Sequence, residues 1–151
     1  MANTYTSLHY HIVFSTKNRK HHNMRTDIKE RIWAFLGGIA RQNKMKALCV
    51  GGMEDHIHIL IVAPPAIALS KMMQLLKGGS SKWVHETFSE MPTFSWQDGY
   101  GAFTVSKSQV PEVIRYIQGQ EEHHRAKNFQ EEYLAFLKSH GIEYDERYVG
   151  G

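Results

Sequence analysis

The segment over residues 51–64, with the sequence GGMEDHIHILIVAP, places the strictest limits on how this 151-residue chain can fold. Its run of β-branched and leucine residues between glycine and proline turn signals predicts a β-strand. Residues two apart in a strand share a face, so His56 and His58 point to one side while Ile57 and Ile59 point to the other. One face is therefore suited to a core, and the other presents two imidazoles that could bind a metal ion.

Histidine spacing alone does not prove a metal site, because two histidines on a half-buried strand commonly bind nothing. His9 and His11 have the same spacing in another strand-like segment and are an equally good pair by this criterion. Glu54 and Asp55 favour the later pair, since a neighbouring carboxylate can orient an imidazole that binds a metal.

The composition predicts one globular domain over residues 1–151, with 42% hydrophobic and 11% aromatic residues. No segment approaches the roughly 18 consecutive apolar residues of a membrane span, and no charged start with an apolar run predicts a signal peptide. The single Cys49 suits a reducing compartment. We therefore expect a cytoplasmic protein with no membrane partner.

Positive charge is concentrated in the first third of the chain. Residues 1–50 contain nine lysines or arginines and two acids, whereas the remainder contains nine and thirteen. A basic surface suggests a polyanion, most often nucleic acid, although an ordinary solvated surface explains the same residues. Candidate phosphate contacts lie in the loop after the first strand and around a glycine–serine segment, and they are Lys17, Arg19, Lys20, Arg25, Lys77 and Lys82.

The periodicity predicts the element order strand, helix, strand, strand, helix, strand, helix. The strands are expected over residues 6–16, 47–50, 56–62 and 102–106, and helices over 26–43, 69–77, 81–90 and from 111 onward through 121–125, with a further apolar segment over 129–140. Thr26 and Ser70 are the expected N-caps, and the turn over residues 77–82 could hold a phosphate. This order predicts a split βαβ arrangement, with an antiparallel sheet covered on one side and the histidines on its open face.

Glycines divide several of these segments. Gly51 and Gly52 are expected to form a turn, and Gly37 and Gly38 are expected to allow close packing of the first helix on the sheet. Gly119 lies in mid-helix, where it could permit a close backbone approach or a bend.

Tyr116 and Gln120 lie four residues apart on the last predicted helix and therefore share a face. This spacing alone is explained by a tyrosine on the apolar stripe of Val113 and Ile117, followed by a solvated glutamine.

Five short blocks, in order and spacing, resemble the single-tyrosine HUH transposases of bacterial insertion sequences. The resemblance covers nearly the whole chain, including an arginine–tyrosine pair at 147–148. The blocks are YHIVF at 10–14, DHIHIL at 55–60, LKG at 76–78, GYGAF at 99–103, and YIQGQ at 116–120 followed by two histidines at 123–124.

The resemblance implies a ferredoxin-like (RRM-like) α/β fold, with helices on one face of an antiparallel sheet and a C-terminal helix carrying the nucleophile. It implies that His56 and His58 bind the metal, that Gln120 completes the protein ligands and that Tyr116 is the nucleophile. Members of the family act as homodimers, in which the tyrosine helix of one subunit can serve the histidines of the other. They cut and rejoin single-stranded DNA beside hairpins at the ends of the element.

This implied chemistry is consistent with the residue types. Two imidazoles and an amide oxygen leave coordination positions open and suit Mg²⁺ or Mn²⁺ better than a closed zinc site. Attack by Tyr116 on the phosphate would give a 5′-phosphotyrosine and a free 3′-hydroxyl. Three other functions fit the sequence: a domesticated relative that acts on repeated palindromes, a non-catalytic hairpin-binding module, and a phosphodiesterase that uses water.

Overall fold

The computed structural model describes residues 3–125, 127–145 and 147; Tyr148, named in the sequence comparison, lies outside them. Four strands form one sheet in the order β2-β3-β1-β4, and every neighbouring pair is antiparallel. The strands are β1 (His9–Ser15), β2 (Lys46–Met53), β3 (His56–Val62) and β4 (Gly101–Val105). The helices are α1 (Thr26–Gln42), α2 (Leu69–Thr87), α3 (Val110–Gln118), α4 (Gln120–His123) and α5 (Phe129–Ser139). The ferredoxin-like α+β fold is thus confirmed.

The main core lies between one face of the sheet and the helices α1 and α2. Ile12 and Phe14 of β1 and Ile57 and Ile59 of β3 point into it, as the alternating pattern predicts. The two helices contribute the apolar stripe over their inner faces, namely Ile28, Ile32, Leu36, Ile39, Met72, Met73 and Leu76.

The opposite face, which carries the histidines, is also covered by helices, so the expectation of an open face is wrong. Val13 and Phe103 pack against α5, and Leu60 packs against Val110 and Ile117 of α3. The physical reason is that these sheet residues form apolar surface on the histidine side, and burying such surface stabilises the fold by about 25 cal/mol per Å².

α2 is one unbroken helix over Leu69–Thr87, so the predicted break at residues 77–82 and the phosphate-binding turn there are wrong. The residue before the first helical turn is Ala68 rather than Ser70. Gly79 lies where α2 crosses α1, since a Cβ there would be 3.0 Å from Cδ1 of Ile39. Gly79 thus permits close helix packing. The hydroxyl of Ser80 donates to the carbonyl of Leu76 at 2.6 Å.

Two other glycine predictions are also wrong. A Cβ on Gly37 would meet nothing within 4 Å, so this residue does not permit close packing. Gly51 and Gly52 lie inside β2, and the turn to β3 falls at residues 54–55. Their lack of a side chain is required by packing, because a Cβ on Gly51 would lie 2.9 Å from Cγ2 of Ile117 and one on Gly52 would overlap the carbonyl of His56.

The helix that follows β4 is shorter than predicted. It stops at Gln118, and Gly119 adopts φ −93° and ψ 18° before α4 begins at Gln120. Of the two alternatives for Gly119, the structure shows the bend. At the start of α1, the N-cap residue is Arg25 rather than Thr26, a shift of one position. Within the described residues, no helix combines the length and apolar character that crossing a bilayer requires.

Candidate active site

His56 and His58 lie on the same side of β3 and are 2% and 0% exposed. One ring nitrogen of each is fixed by a neighbour. Nδ1 of His56 is 2.7 Å from Oδ1 of Asp55, and Nδ1 of His58 is 2.8 Å from Nε2 of His11. The Nε2 atoms of both histidines are thereby directed to one point under α4 and α5.

His11 therefore supports the later histidine pair and does not build a site with His9, whose ring contacts Ser7 instead. Burial, with a smaller contribution from the neighbouring His58, lowers the pKa of His11 from 6.5 to about 3. Nε2 of a neutral His11 can accept one hydrogen bond from Nδ1 of His58, and this bond fixes the tautomer of the His58 ring.

Gln120 lies next to His56. Its Oε1 is 2.9 Å from Nε2 of His56, and the residue is 2% exposed. The bend at Gly119 starts a new helix at this position. Glu54, by contrast, turns away from the site and pairs with Nζ of Lys29 at 3.4 Å.

Glu132 of α5 is a site residue that the sequence analysis missed. Its Oε1 is 3.1 Å from Nε2 of His58 and 3.6 Å from Nε2 of His56, and its side chain is 2% exposed. Burial alone would raise the pKa of Glu132, but hydrogen bonding from His58 and from Tyr116 outweighs it and holds that pKa well below its usual value. The available signal was its position three residues after Phe129, inside the apolar repeat of the segment.

The hydroxyl of Tyr116 donates to Oε2 of Glu132 and lies 3.3 Å from Nε2 of His123. The centroid of its ring is 5.7 Å from that of His58 in the same chain. Burial, together with the hydrogen bond to Glu132 and the charge of its carboxylate, raises the pKa of Tyr116 well above 10. The phenol is therefore firmly protonated in this arrangement.

His123 and His124 extend the cluster. Nε2 of His124 is 2.9 Å from Oε1 of Gln120 and 3.3 Å from Oε1 of Glu132. Two groups of described residues could hold a metal ion, with ligand atoms within 4.8 Å of one another: His56, His58 and Glu132, and His123, His124 and Glu132.

The hydrogen-bonding pattern fits a cation at this point. Burial tends to raise the pKa of Asp55, but the hydrogen bond and charge of His56 lower it below its usual value. An ionised carboxylate can only accept, so Nδ1 of His56 donates to Asp55, and its other ring nitrogen, Nε2, is directed at the cluster. Nε2 of His56 lies 2.9 Å from Oε1 of Gln120 and 3.6 Å from Oε1 of Glu132. A ring nitrogen, an amide oxygen and a carboxylate oxygen that converge in this way are ligand atoms for a divalent cation.

A cavity of about 280 Å³ gives access to this cluster from outside. Its walls include Tyr116, Glu132 and His123, with Lys127 at the same opening. The tyrosine hydroxyl is therefore near a space that a phosphate group could enter, although the histidine rings themselves are buried.

The predicted basic residues are found in two different settings. Lys17, Lys20 and Arg25 are exposed and Arg19 is half-buried, in the loop that follows β1. This loop adjoins the site, because the backbone N–H of Thr16 donates to the carbonyl of Asp55 at 2.8 Å. Lys82 is exposed on α2, on the far side of the sheet.

Lys77 is bound to its own chain. Its ammonium donates to the carbonyls of Gln97, Asp98 and Gly99 at 2.7, 3.2 and 2.8 Å. Burial lowers its pKa. Since all three donors of this ammonium are used within the chain, the prediction that Lys77 contacts DNA is wrong.

Comparison with known proteins gives consistent results. Residues 4–120 match the family model described as "Transposase IS200 like". The chain is 26% identical to the ISDra2 transposase TnpA of Deinococcus radiodurans over 118 residues, which cover 75% of this chain and 84% of that protein. It is 29% identical to the transposase for insertion sequence element IS200 of Salmonella typhimurium over 125 residues, which cover 80% and 81%.

Two solved structures resemble the fold. One is a crystal structure of a Deinococcus radiodurans protein proposed to be a transposase, with a TM-score of 0.63, 25% identity, and coverage of 80% of this chain and 95% of that one. The other is a REP-associated tyrosine transposase bound to a REP hairpin, with a TM-score of 0.61 and 12% identity over 82% of this chain and 73% of that one. The match to the family model covers most of the sequence and includes His56, His58, Tyr116 and Gln120, so this chain belongs to the IS200-like transposase family.

Proposed function

We propose that this transposase cleaves and rejoins single-stranded DNA next to terminal hairpins through a covalent 5′-phosphotyrosine at Tyr116. The observation that carries the proposal is the position of the Tyr116 hydroxyl, which lies beside a buried His–His–Glu cluster of its own chain and at the edge of a cavity. A nucleophile, a cation-binding cluster and an entrance for phosphate are the parts that phosphoryl transfer to a side chain requires.

His56, His58 and Gln120 would hold a divalent ion, for which we propose Mg²⁺ or Mn²⁺. Bound there, the ion would act as a Lewis acid on the scissile phosphate and offset the negative charge that grows on its oxygens. For Nε2 of His58 to serve as a ligand, Nδ1 must carry the proton and donate to His11, which is the pairing observed at 2.8 Å. Asp55 fixes His56 in the same way.

In the first step, the Tyr116 oxygen forms a bond to phosphorus, and the bond from phosphorus to the 3′-oxygen breaks. The phenolic proton passes, in net terms, to the departing 3′-oxygen, which becomes a hydroxyl. In the second step, a different 3′-hydroxyl attacks the phosphotyrosine, a new phosphodiester forms and Tyr116 is released. Because the tyrosyl ester retains the bond, no ATP is needed.

We propose that the DNA approaches along the loop after β1. Lys17, Arg19, Lys20 and Arg25 offer cations for phosphates there, next to the residue that fixes His56. Lys127, at the opening beside Tyr116, would contact the strand nearest the cleavage point. Lys82 is the more distant candidate. Action as a homodimer in the cytoplasm is part of the proposal.

The experiment is incubation with labelled single-stranded DNA that carries the hairpins flanking the gene, with Mg²⁺ or Mn²⁺, followed by a denaturing gel. Wild-type protein should give a protein-linked DNA band that requires metal and disappears in Tyr116→Phe. The matched control is Tyr144→Phe, since Tyr144 is half-buried and packs in the cluster around Val13 instead. Metal-dependent cleavage that survives in Tyr116→Phe would favour hydrolysis by water, and hairpin binding without cleavage would favour a binding module.

A further inference from the structure

Glu132 is a buried carboxylate whose partners are unusual. Within the described parts of the chain, no lysine or arginine pairs with it, and its contacts are histidine rings, the Tyr116 hydroxyl and the Gln120 amide. A buried carboxylate is normally paired with a cation, because removal from water costs several kcal/mol. Glu132 also lies beyond residues 4–120, which match the family model.

α5 holds this carboxylate in a fixed place. Phe129, Tyr133 and Leu137 of the helix are buried against Val13 and Phe103 of the sheet. The first turn is closed by a capping box, in which Asn128 accepts from the backbone of Glu131 and the Glu131 side chain accepts in return. Buried residues before and after Glu132 therefore anchor α5 on the sheet and keep the Glu132 carboxylate next to the histidines.

The distances match those between ligands of one ion. Two ligands at about 2.1 Å from an octahedral cation and at right angles to each other are about 3 Å apart. Oε1 of Glu132 is 3.1 Å from Nε2 of His58 and 3.6 Å from Nε2 of His56. The other oxygen, Oε2, accepts from the hydroxyl of Tyr116 and from the amide of Gln120.

We propose that Glu132 is itself a metal ligand, with Oε1 on the ion held by His56 and His58 and Oε2 on the hydroxyl of Tyr116. The inference rests on the proposed metal-dependent function and adds to it a carboxylate from outside the matched segment. Glu132 then joins the ion to the nucleophile through one rigid group. It would also supply a negative charge to the site, which raises affinity for a hard divalent cation in the absence of DNA.

The test is calorimetric titration of the metal-free protein with Mn²⁺ alone. Glu132→Gln keeps the shape of the side chain and should weaken Mn²⁺ binding at least about tenfold. The control Glu131→Gln changes the neighbouring charge, preserves the capping box and should bind as the wild type does. His58→Ala reports loss of the histidine site itself.

Equal Mn²⁺ affinity in Glu132→Gln and the wild type, with a clear loss in His58→Ala, would overturn the role of Glu132 and leave the proposed function intact. Equal affinity in all four proteins would overturn both, since the histidines would then not bind the ion. A loss in Glu132→Gln, but not in Glu131→Gln, supports the proposal.

A second measurement avoids any effect of mutation on folding. Crystals of the wild-type protein soaked in Mn²⁺ should show an anomalous peak within about 2.3 Å of Oε1 of Glu132 and of both Nε2 atoms. A peak coordinated by His56, His58 and Gln120, with Glu132 turned away, would overturn the inference and support the simpler ligand set.

Discussion

At the scale of single residues, His11 and Asp55 decide whether the two proposed metal ligands can work. Each fixes the outer nitrogen of one imidazole, at 2.8 and 2.7 Å. This is the arrangement in which a second layer of hydrogen bonds sets the tautomer of a ligating ring. His11, which belongs to the alternative histidine pair in the sequence, thus orients one of the proposed metal ligands.

His11→Phe should lower Mn²⁺ affinity by about 10- to 100-fold, because Nδ1 of His58 loses its partner and the ring its fixed tautomer. Phenylalanine keeps an aromatic ring against Phe136, whose centroid is 5.1 Å from that of His11. His9→Phe is the control, since His9 contacts Ser7. Titration of both variants checks the prediction, and similar affinities in the two would contradict it.

His11 should also make stability depend on pH. Its pKa is 6.5 when unperturbed and about 3 in the folded protein, so between these values the unfolded chain binds the extra proton. The stability associated with neutral His11 is therefore fully present above pH 6.5 and is lost as pH falls toward 3. The slope is at most about 1.4 kcal/mol per pH unit.

Urea unfolding of the metal-free protein at pH 5 and pH 7 measures this effect. The free energy of unfolding should fall between pH 7 and pH 5, and it should fall less in His11→Phe, which has no proton to gain. The same difference between the two pH values in both proteins would show that His11 does not titrate in this way.

At the scale of the elements, the position of Tyr116 depends on how closely α3 lies on β2. Gly51 permits this contact, because a Cβ there would be 2.9 Å from Cγ2 and 3.0 Å from the carbonyl oxygen of Ile117. Gly51→Ala should therefore destabilise the fold by about 1–3 kcal/mol and reduce adduct formation, since α3 must shift.

Gly37→Ala is the control, because a Cβ at this helix position would meet nothing within 4 Å. This substitution should stabilise the folded protein by about 1 kcal/mol. Thermal unfolding of both variants measures these two changes in stability. Equal changes in the two variants would contradict the prediction.

The elements differ in how far the sequence alone predicts them. Alternation in β1 and β3 predicted which side faces the core, because burial and period are linked directly. The glycines of α2 predict a turn from the sequence, because the close approach of α1 that requires Gly79 is visible only in three dimensions. Nothing in the period of a strand says whether its second face is covered, so the position of α5 over the histidines was not predicted.

The candidate site was predicted in part for a similar reason. His56, His58, Tyr116 and Gln120 share short-range spacing with a known family, and the structure brings them together. Glu132 has no motif, and its contact with His58 joins residues 74 positions apart. A charged residue inside an apolar helical stripe was the one available indication of it.

At the scale of the whole molecule, one chain contains both the tyrosine and the histidines of the proposed site. Tyr116 reaches the cluster of its own chain through Glu132, without a second subunit. A mixture of Tyr116→Phe and His58→Ala proteins should therefore give no covalent DNA adduct, because each chain lacks one half of the site. Recovery of the adduct in the mixture would contradict this prediction and show that subunits exchange α3.

Covalent catalysis by Tyr116 is tested most directly by identifying the residue that carries the DNA. The wild-type protein is incubated with Mn²⁺ and the hairpin substrate, digested with protease and nuclease, and analysed by tandem mass spectrometry. The expected product is a peptide in which a nucleotide is joined through its 5′-phosphate to Tyr116. A nucleotide on any other residue, or cleaved DNA with no modified peptide, would contradict it.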